Sequence, residues 1–138
     1  MDNSRLASSA VVFMTADAAG VSAFYRDVLG FRALEHLDKS EPFVALYRGG
    51  VEILLVQAKF GAFRPNHEAY GAGFNIYLVV TDVNEDVDAL YEEFRAKGAR
   101  IVHPPVMTDY GNYEFVLEDP EGRWIGCGHI QKPEVYFR

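Results

Sequence analysis

Three polar or aromatic side chains, Glu52, Asn75 and Trp124, carry most of the chemistry this sequence can offer, and each has a neighbour that shapes its use. Gly49-Gly50 between two apolar runs, Phe43 to Arg48 and Val51 to Gln57, signals a two-residue hairpin. That turn pairs Tyr47 with Glu52 and Ala45 with Leu54. A carboxylate beside the Tyr47 phenol could serve as a base, its pKa raised by apolar surroundings, or hold a cationic ligand group. Near a hairpin mouth it could equally be solvated. Asn75 and Tyr77 share a face by alternation. They either hydrogen-bond a bound molecule or form a satisfied polar pair inside a sheet. Trp124 alternates onto one face with Gly126 and Gly128, so a bulky indole stands beside two missing side chains. This describes a wall with a hollow in front of it, in which Trp124 and Gly126 meet a ligand. The indole could stack on a planar molecule or fill the space between two halves of the protein.

Other chemistries lack their residues. His36, His67, His103 and His129 form no helix-borne pair and no H-x-H, and are read as surface or structural side chains. His129 alternates away from Gly126. One cysteine, Cys127, excludes an intrachain disulfide and a cysteine-based zinc site. Nothing local activates it, so it reads as a small strand residue. Ser8 and Ser9 have no placed base, and the G-x-G at Gly126 to Gly128 lies within a strand rather than at a strand-to-helix turn. A net charge of −7 with scattered basic residues argues against a nucleic-acid surface. No apolar run approaches membrane-spanning length, so no membrane partner is expected. The start, M-D-N-S-R-L-A-S-S-A, lacks a signal-peptide core, which makes the cytoplasm the expected location.

The elements that would position these residues recur twice. An apolar run from Ala10 to Ala16 reads as a strand covered on both faces. Asp17 then caps a helix with Val21, Phe24, Tyr25 and Val28 at i, i+3, i+4 and i+7, ended by Gly30. Strands follow at Ala33 to Leu37 and in the Gly49-Gly50 hairpin. Residues 58–73 form a linker whose aromatics, Phe60, Phe63 and Tyr70, should in part pack on something. From Asn75 to Thr81 the pattern restarts: strand, Asp82, then a helix with Val87, Leu90, Tyr91 and Phe94, ended by Gly98. A strand at Arg100 to His103 stops at Pro104-Pro105. The last two strands turn at Asp119-Pro120-Glu121-Gly122. The chain is therefore one domain of two modules, approximately 8–57 and 74–130. Its class is α+β, with two βαβββ modules forming curved mixed sheets around a cleft, edge to edge with helices outside.

A-A-G-V-S-A-F-Y-R-D-V-L-G-F resembles the F-Y-x-x-x-L-G-F signature of the vicinal oxygen chelate superfamily. D-V-D-A-L-Y-E-E-F-R-A-K-G-A and Y-E-F-V-L-E-D-P-E-G-R-W-I resemble its second-module helix and D-P-x-G hairpin. The family includes glyoxalase I, extradiol dioxygenases and bleomycin-resistance proteins. The resemblance implies metal-ligand positions that fall here at Ala10, Leu54, Asn75 and Gly126, which cannot form a divalent-metal site. It further implies a loop over the site, making Tyr110 a candidate lid contact, and a homodimer that sometimes exchanges modules. The branch it is most similar to is the metal-free bleomycin-resistance type. That branch implies no cofactor and sequestration of a small aromatic or cationic molecule, such as an antibiotic. The second expectation is a lyase, isomerase or dioxygenase with a displaced metal site or with Glu52 as a metal-free base. The third is a protein-binding module, with Trp124 buried in apolar packing.

Overall fold

Alternating burial sets the fold from its first strand. In a computed structural model describing residues 5–81 and 83–130, β1 (Val11–Thr15) buries Phe13 and Thr15 and exposes Val12 and Met14. The apolar run implied cover on both faces, but β1 has it on one. It is an edge strand, paired in parallel with β4 (Val51–Gln57) in a sheet of order β1-β4-β3-β2, and among the described residues its outer face stays exposed at Val12 and Met14.

The first helix, α1 (Ala18–Asp27), begins where the Asp17 carboxylate accepts from the Gly20 amide at 3.0 Å. Val21 and Tyr25 are buried, Phe24 and Val28 half-buried, as the spacing requires. Gly30 ends the segment at φ 72°, a backbone region suited to glycine. β2 (Arg32–His36) and β3 (Phe43–Arg48) complete the sheet, and the β3–β4 hairpin pairs Tyr47 with Glu52 and Ala45 with Leu54 as the glycine pair dictates.

The linker contains structure of its own. A short helix, α2 (Asn66–Tyr70), is tied down by Asn66, whose Nδ2 donates to the Phe74 carbonyl and whose amide donates to Asn75 Oδ1. Of the linker aromatics, Phe63 packs against Arg123, while Phe60 and Tyr70 are exposed.

The second sheet, order β5-β8-β7-β6, is built from β5 (Ile76–Val79), β6 (Arg100–Met107), β7 (Asn112–Glu118) and β8 (Trp124–Ile130). Helix α3 (Asn84–Ala96) buries Val87 and Phe94, with Leu90 and Tyr91 half-buried. Asp82, expected ahead of this helix, and the tail 131–138 lie outside the described residues. Pro104-Pro105 does not end β6. The strand is the free edge of its sheet, where a missing donor is tolerated, and the pairing with β7 shifts register on either side of His103.

The helix-bearing faces of the two sheets meet in one hydrophobic core. Tyr25, Leu29 and Phe31 of the first module share it with Phe94, Phe115 and Ile125 of the second. The sheets remain separate rather than edge-paired: β1 meets the turn before β8 instead of β5. At that junction Arg123 is fully buried. Its guanidinium lies between the Phe13 and Phe63 rings, bonds Asp119 and Glu121 at 2.9 Å each, and donates to the Met14 carbonyl. Tyr25 Oη donates to the same Asp119 at 2.7 Å. Among the described residues the outer face of each sheet is left uncovered, and the candidate site lies on one of them.

Candidate functional site

The outer face of the second sheet follows from strand register. Trp124, Gly126 and Gly128 of β8 stand opposite Glu118, Val116 and Glu114 of β7, and Tyr77 of β5 stands beside Gly126. The two glycines do not leave a hollow for a ligand. A Cβ at Gly126 would lie 2.7 Å from the Tyr77 ring, and one at Gly128 would lie 2.6 Å from Tyr77 Oη. The missing side chains make room for Tyr77 and Phe74, whose rings pack 5.5 Å apart. Gly126 is therefore buried beneath Tyr77.

The open space lies further along the same face. A cavity of about 580 Å³ is bounded by Trp124, Phe74, Val116, Glu114, His103 and Tyr110. Trp124 is held in place as its wall. The His67 ring of α2 stacks on the indole at 4.1 Å and 7° from parallel, and His67 Nε2 donates to the Gly122 carbonyl at 2.7 Å. The indole Nε1 donates to Glu118 Oε1 at 3.2 Å. With one face covered and its single donor used, the indole offers the cavity an apolar plane. Tyr110, 38% exposed, sits at the rim on the loop between β6 and β7, the place expected for a lid contact.

One buried charge faces this cavity. Glu114 is 1% exposed, and its Oε1 accepts from Tyr77 Oη at 3.0 Å. Tyr77 Oη in turn accepts from Asn112 Nδ2 at 2.9 Å. Burial, and then the negative charge of Glu114, push the Tyr77 phenol well above its ordinary pKa, so it stays a donor. Glu114 Oε2 lies 4.0 Å from His103 Nε2. Sequence reasoning missed Glu114, although the same alternation that grouped Trp124 with Gly128 places Glu114 opposite Gly128 across the hairpin. It missed His67 because a histidine in a linker carries no periodicity.

Of the expected site residues, Tyr77, Trp124 and Gly126 belong to this sheet face, and Tyr110 lines the same cavity from the loop between β6 and β7. Asn75 is close by but is engaged elsewhere: its Oδ1 anchors α2 and its amide donates to the Trp124 carbonyl. Tyr47 and Glu52 lie on the outer face of the first sheet. They sit in a cross-strand row with Arg32, whose guanidinium is 5.5 Å from the Tyr47 ring centre. A hydrogen bond with Glu52 is the main cause that raises the Tyr47 pKa. Glu52 is thus part of a partly solvated row at a hairpin mouth, remote from Trp124 in strand order.

The four positions that the family resemblance assigns to a metal fall at the start of β1, on β4, before β5 and on β8. Ala10, Leu54 and Gly126 bring no donor side chain, and the Asn75 oxygen is occupied. These residues do not fit a divalent cation. Among the described residues no group of three or more His, Cys, Asp or Glu side chains is placed to hold one. Cys127 is buried in the core, and that burial pushes its thiol pKa up, the state of an inert cysteine. His129 is buried on the core side of β8, with Nε2 2.8 Å from Asn84 Oδ1. No helix among the described residues is long and apolar enough to cross a membrane.

Comparison with known proteins places this geometry. No curated protein matches the chain. Among solved structures, UcmS2 superposes with a TM-score of 0.68 at 22% identity, covering 90% of this chain and 98% of that one. A glyoxalase/bleomycin resistance protein/dioxygenase family enzyme from Burkholderia phytofirmans PsJN is similar at 29% identity and TM-score 0.59, covering 88% and 97%. A lactoylglutathione lyase from Agrobacterium tumefaciens is similar at 20% identity and TM-score 0.63, covering 91% and 95%. A family model matches residues 8–126, which spans both modules and the signatures within them, and on that ground the chain belongs to the Glyoxalase/Bleomycin resistance protein/Dioxygenase superfamily.

Proposed function

We propose that this protein binds a small planar aromatic molecule in the cavity over its second sheet, without a metal, as a homodimer. The observation that carries the reading is Trp124: an indole fixed from behind by His67 that still lines a cavity of about 580 Å³. That volume suits a drug-sized ligand. Sequestration, as in the bleomycin-resistance branch, needs only such a wall and a lid. The donor-poor metal positions support binding over a metal-assisted reaction.

The uncovered sheet faces support the homodimer. Val12, Met14 and Leu34 are exposed on the first sheet, and Val79, Val102 and Val106 on the second. A second copy, related by a two-fold axis, can set its first sheet over this chain's second sheet and receive the same cover in return. Each cavity then gains a roof.

Because Trp124 is the sole tryptophan, its emission reports on the cavity alone. Titration with a panel of planar aromatics is expected to quench or shift that emission saturably, and Trp124→Ala to abolish binding measured by calorimetry. A silent indole across the panel would favour a protein-binding module and overturn this reading. Glu52→Gln is expected to leave ligand affinity unchanged; a loss of turnover on any substrate that the wild type converts would restore the enzyme reading.

A further inference from the structure

The cavity over the second sheet has an excess of acceptors and negative charge. Its hydrogen-bond chain runs one way, from Asn112 Nδ2 to Tyr77 Oη to Glu114 Oε1. Tyr77 Oη–H and one N–H of Asn112 Nδ2 are spent along it, and Asn112 Oδ1, at its start, is buried without a partner among the described residues. Glu114 ends the chain as a carboxylate that is 1% exposed and lines the cavity. A single phenol is weak compensation for a buried anion, which calls for a cation or several donors. The nearest basic group, His103 Nε2, stands 4.0 Å away, beyond hydrogen-bond distance, and its other ring nitrogen is 3.1 Å from the Pro104 carbonyl. Asp109 adds a second carboxylate to the lining, and no Lys or Arg contributes to it.

We propose that Glu114 is the charge partner of the bound molecule, so that the cavity selects aromatic ligands bearing a protonated nitrogen: an amine, amidine or guanidine. The ring lies against Trp124 and the N–H groups reach Glu114. The negative lining disfavours carboxylates and phosphates. Burial shields the pair from salt, so the preference persists at high ionic strength. This assignment rests on the cavity being the binding site, and it goes further by fixing the head group.

Three probes sharing one ring separate the two claims: 1-naphthylmethylamine, 1-naphthalenemethanol and 1-naphthoate, titrated by calorimetry into the full chain. The amine is expected to bind about tenfold or more tightly than the alcohol, the gain of a charge-assisted bond in a buried site, and naphthoate weakest. Glu114→Gln should bring the amine to within about twofold of the alcohol. Equal affinities of amine and alcohol for the wild type would overturn the role of Glu114 while leaving the cavity as a binding site. So would a Glu114→Gln variant that keeps the preference. No binding of any probe, with Trp124 emission unchanged, would remove the cavity and the assignment together. The wild-type comparison stands whether or not the variant folds.

Discussion

Gly128 shows how much one position can and cannot say in sequence. Alternation with Trp124 placed it on the correct sheet face, but a missing side chain has two uses, and the sequence does not tell them apart. Here the vacancy admits protein: a Cβ would sit 2.4 Å from the Tyr113 carbonyl oxygen and 2.6 Å from Glu114 Cβ. Neither atom can retreat without moving β7. At Gly126 the nearest atoms belong to the Tyr77 and Phe74 rings, which can tilt. Gly128→Ala is therefore expected to cost about 1–3 kcal/mol by overpacking, and Gly126→Ala less, compared by urea midpoints at constant slope. Gly128→Ala should also displace Tyr77 from Glu114, so its ligand affinity falls with its stability. Glu114 itself was legible. The hairpin turn at Asp119 to Gly122 fixes the register, and register sets Glu114 against Gly128. Reading only the glycine-bearing strand hid the carboxylate across from it.

At the scale of elements, the turn from Asp119 to Arg123 does more than reverse the chain. Its type is readable from Pro120 and Gly122, but the role of Arg123 is not, because it reaches partners far from the turn, Met14 in the first module and Phe63 in the linker. The guanidinium joins three elements, β1 through the Met14 carbonyl, the linker through Phe63, and its own turn through Asp119. Arg123→Met should leave Asp119 and Glu121 without their cation and destabilise the protein by about 3–5 kcal/mol, read from denaturant unfolding. Tyr25 adds a pH dependence. Burial first, then the charge of Asp119, hold its phenol pKa well above the ordinary value of 10.0. The unfolded chain therefore releases this proton at lower pH than the folded one, and the stability that Tyr25 contributes, complete below about pH 10, falls as pH rises beyond it. Tyr25→Phe is expected to cost about 1 kcal/mol at neutral pH through the lost hydrogen bond. It should also make the alkaline loss of melting temperature shallower, without abolishing it, since Tyr77 and Cys127 carry raised pKa values too. Pro104-Pro105 is the contrasting case. Two prolines stop a central strand, and only the sheet order, which places β6 at the edge, explains why this one continues.

The whole molecule is two half-clefts that face away from their shared core. Helix stripes, glycine stops and hairpins identified both modules from local pattern. Which faces meet is a non-local question, decided by a core that takes Tyr25 and Leu29 from one module and Phe94 and Phe115 from the other. The consequence is that, among the described residues, neither sheet's outer face is covered from within, and the cavity beside Trp124 draws its lining from the second module and the end of the linker. In the proposed dimer the first sheet of one copy supplies the missing roof. Leu34 is 41% exposed on the outer face of that first sheet, outside the hydrophobic core, so Leu34→Glu should change the monomer's stability by no more than about 0.5 kcal/mol. In a dimer the same carboxylate enters an apolar interface unpaired, which disfavours association. The wild type is expected to sediment at twice the 15.5 kDa chain mass and Leu34→Glu as a single chain. If the partner roofs the cavity, the variant must also bind the aromatic amine more weakly, although the substituted residue belongs to the other sheet. A monomeric wild type, or a monomeric variant with undiminished affinity, would show that the second sheet binds its ligand unaided.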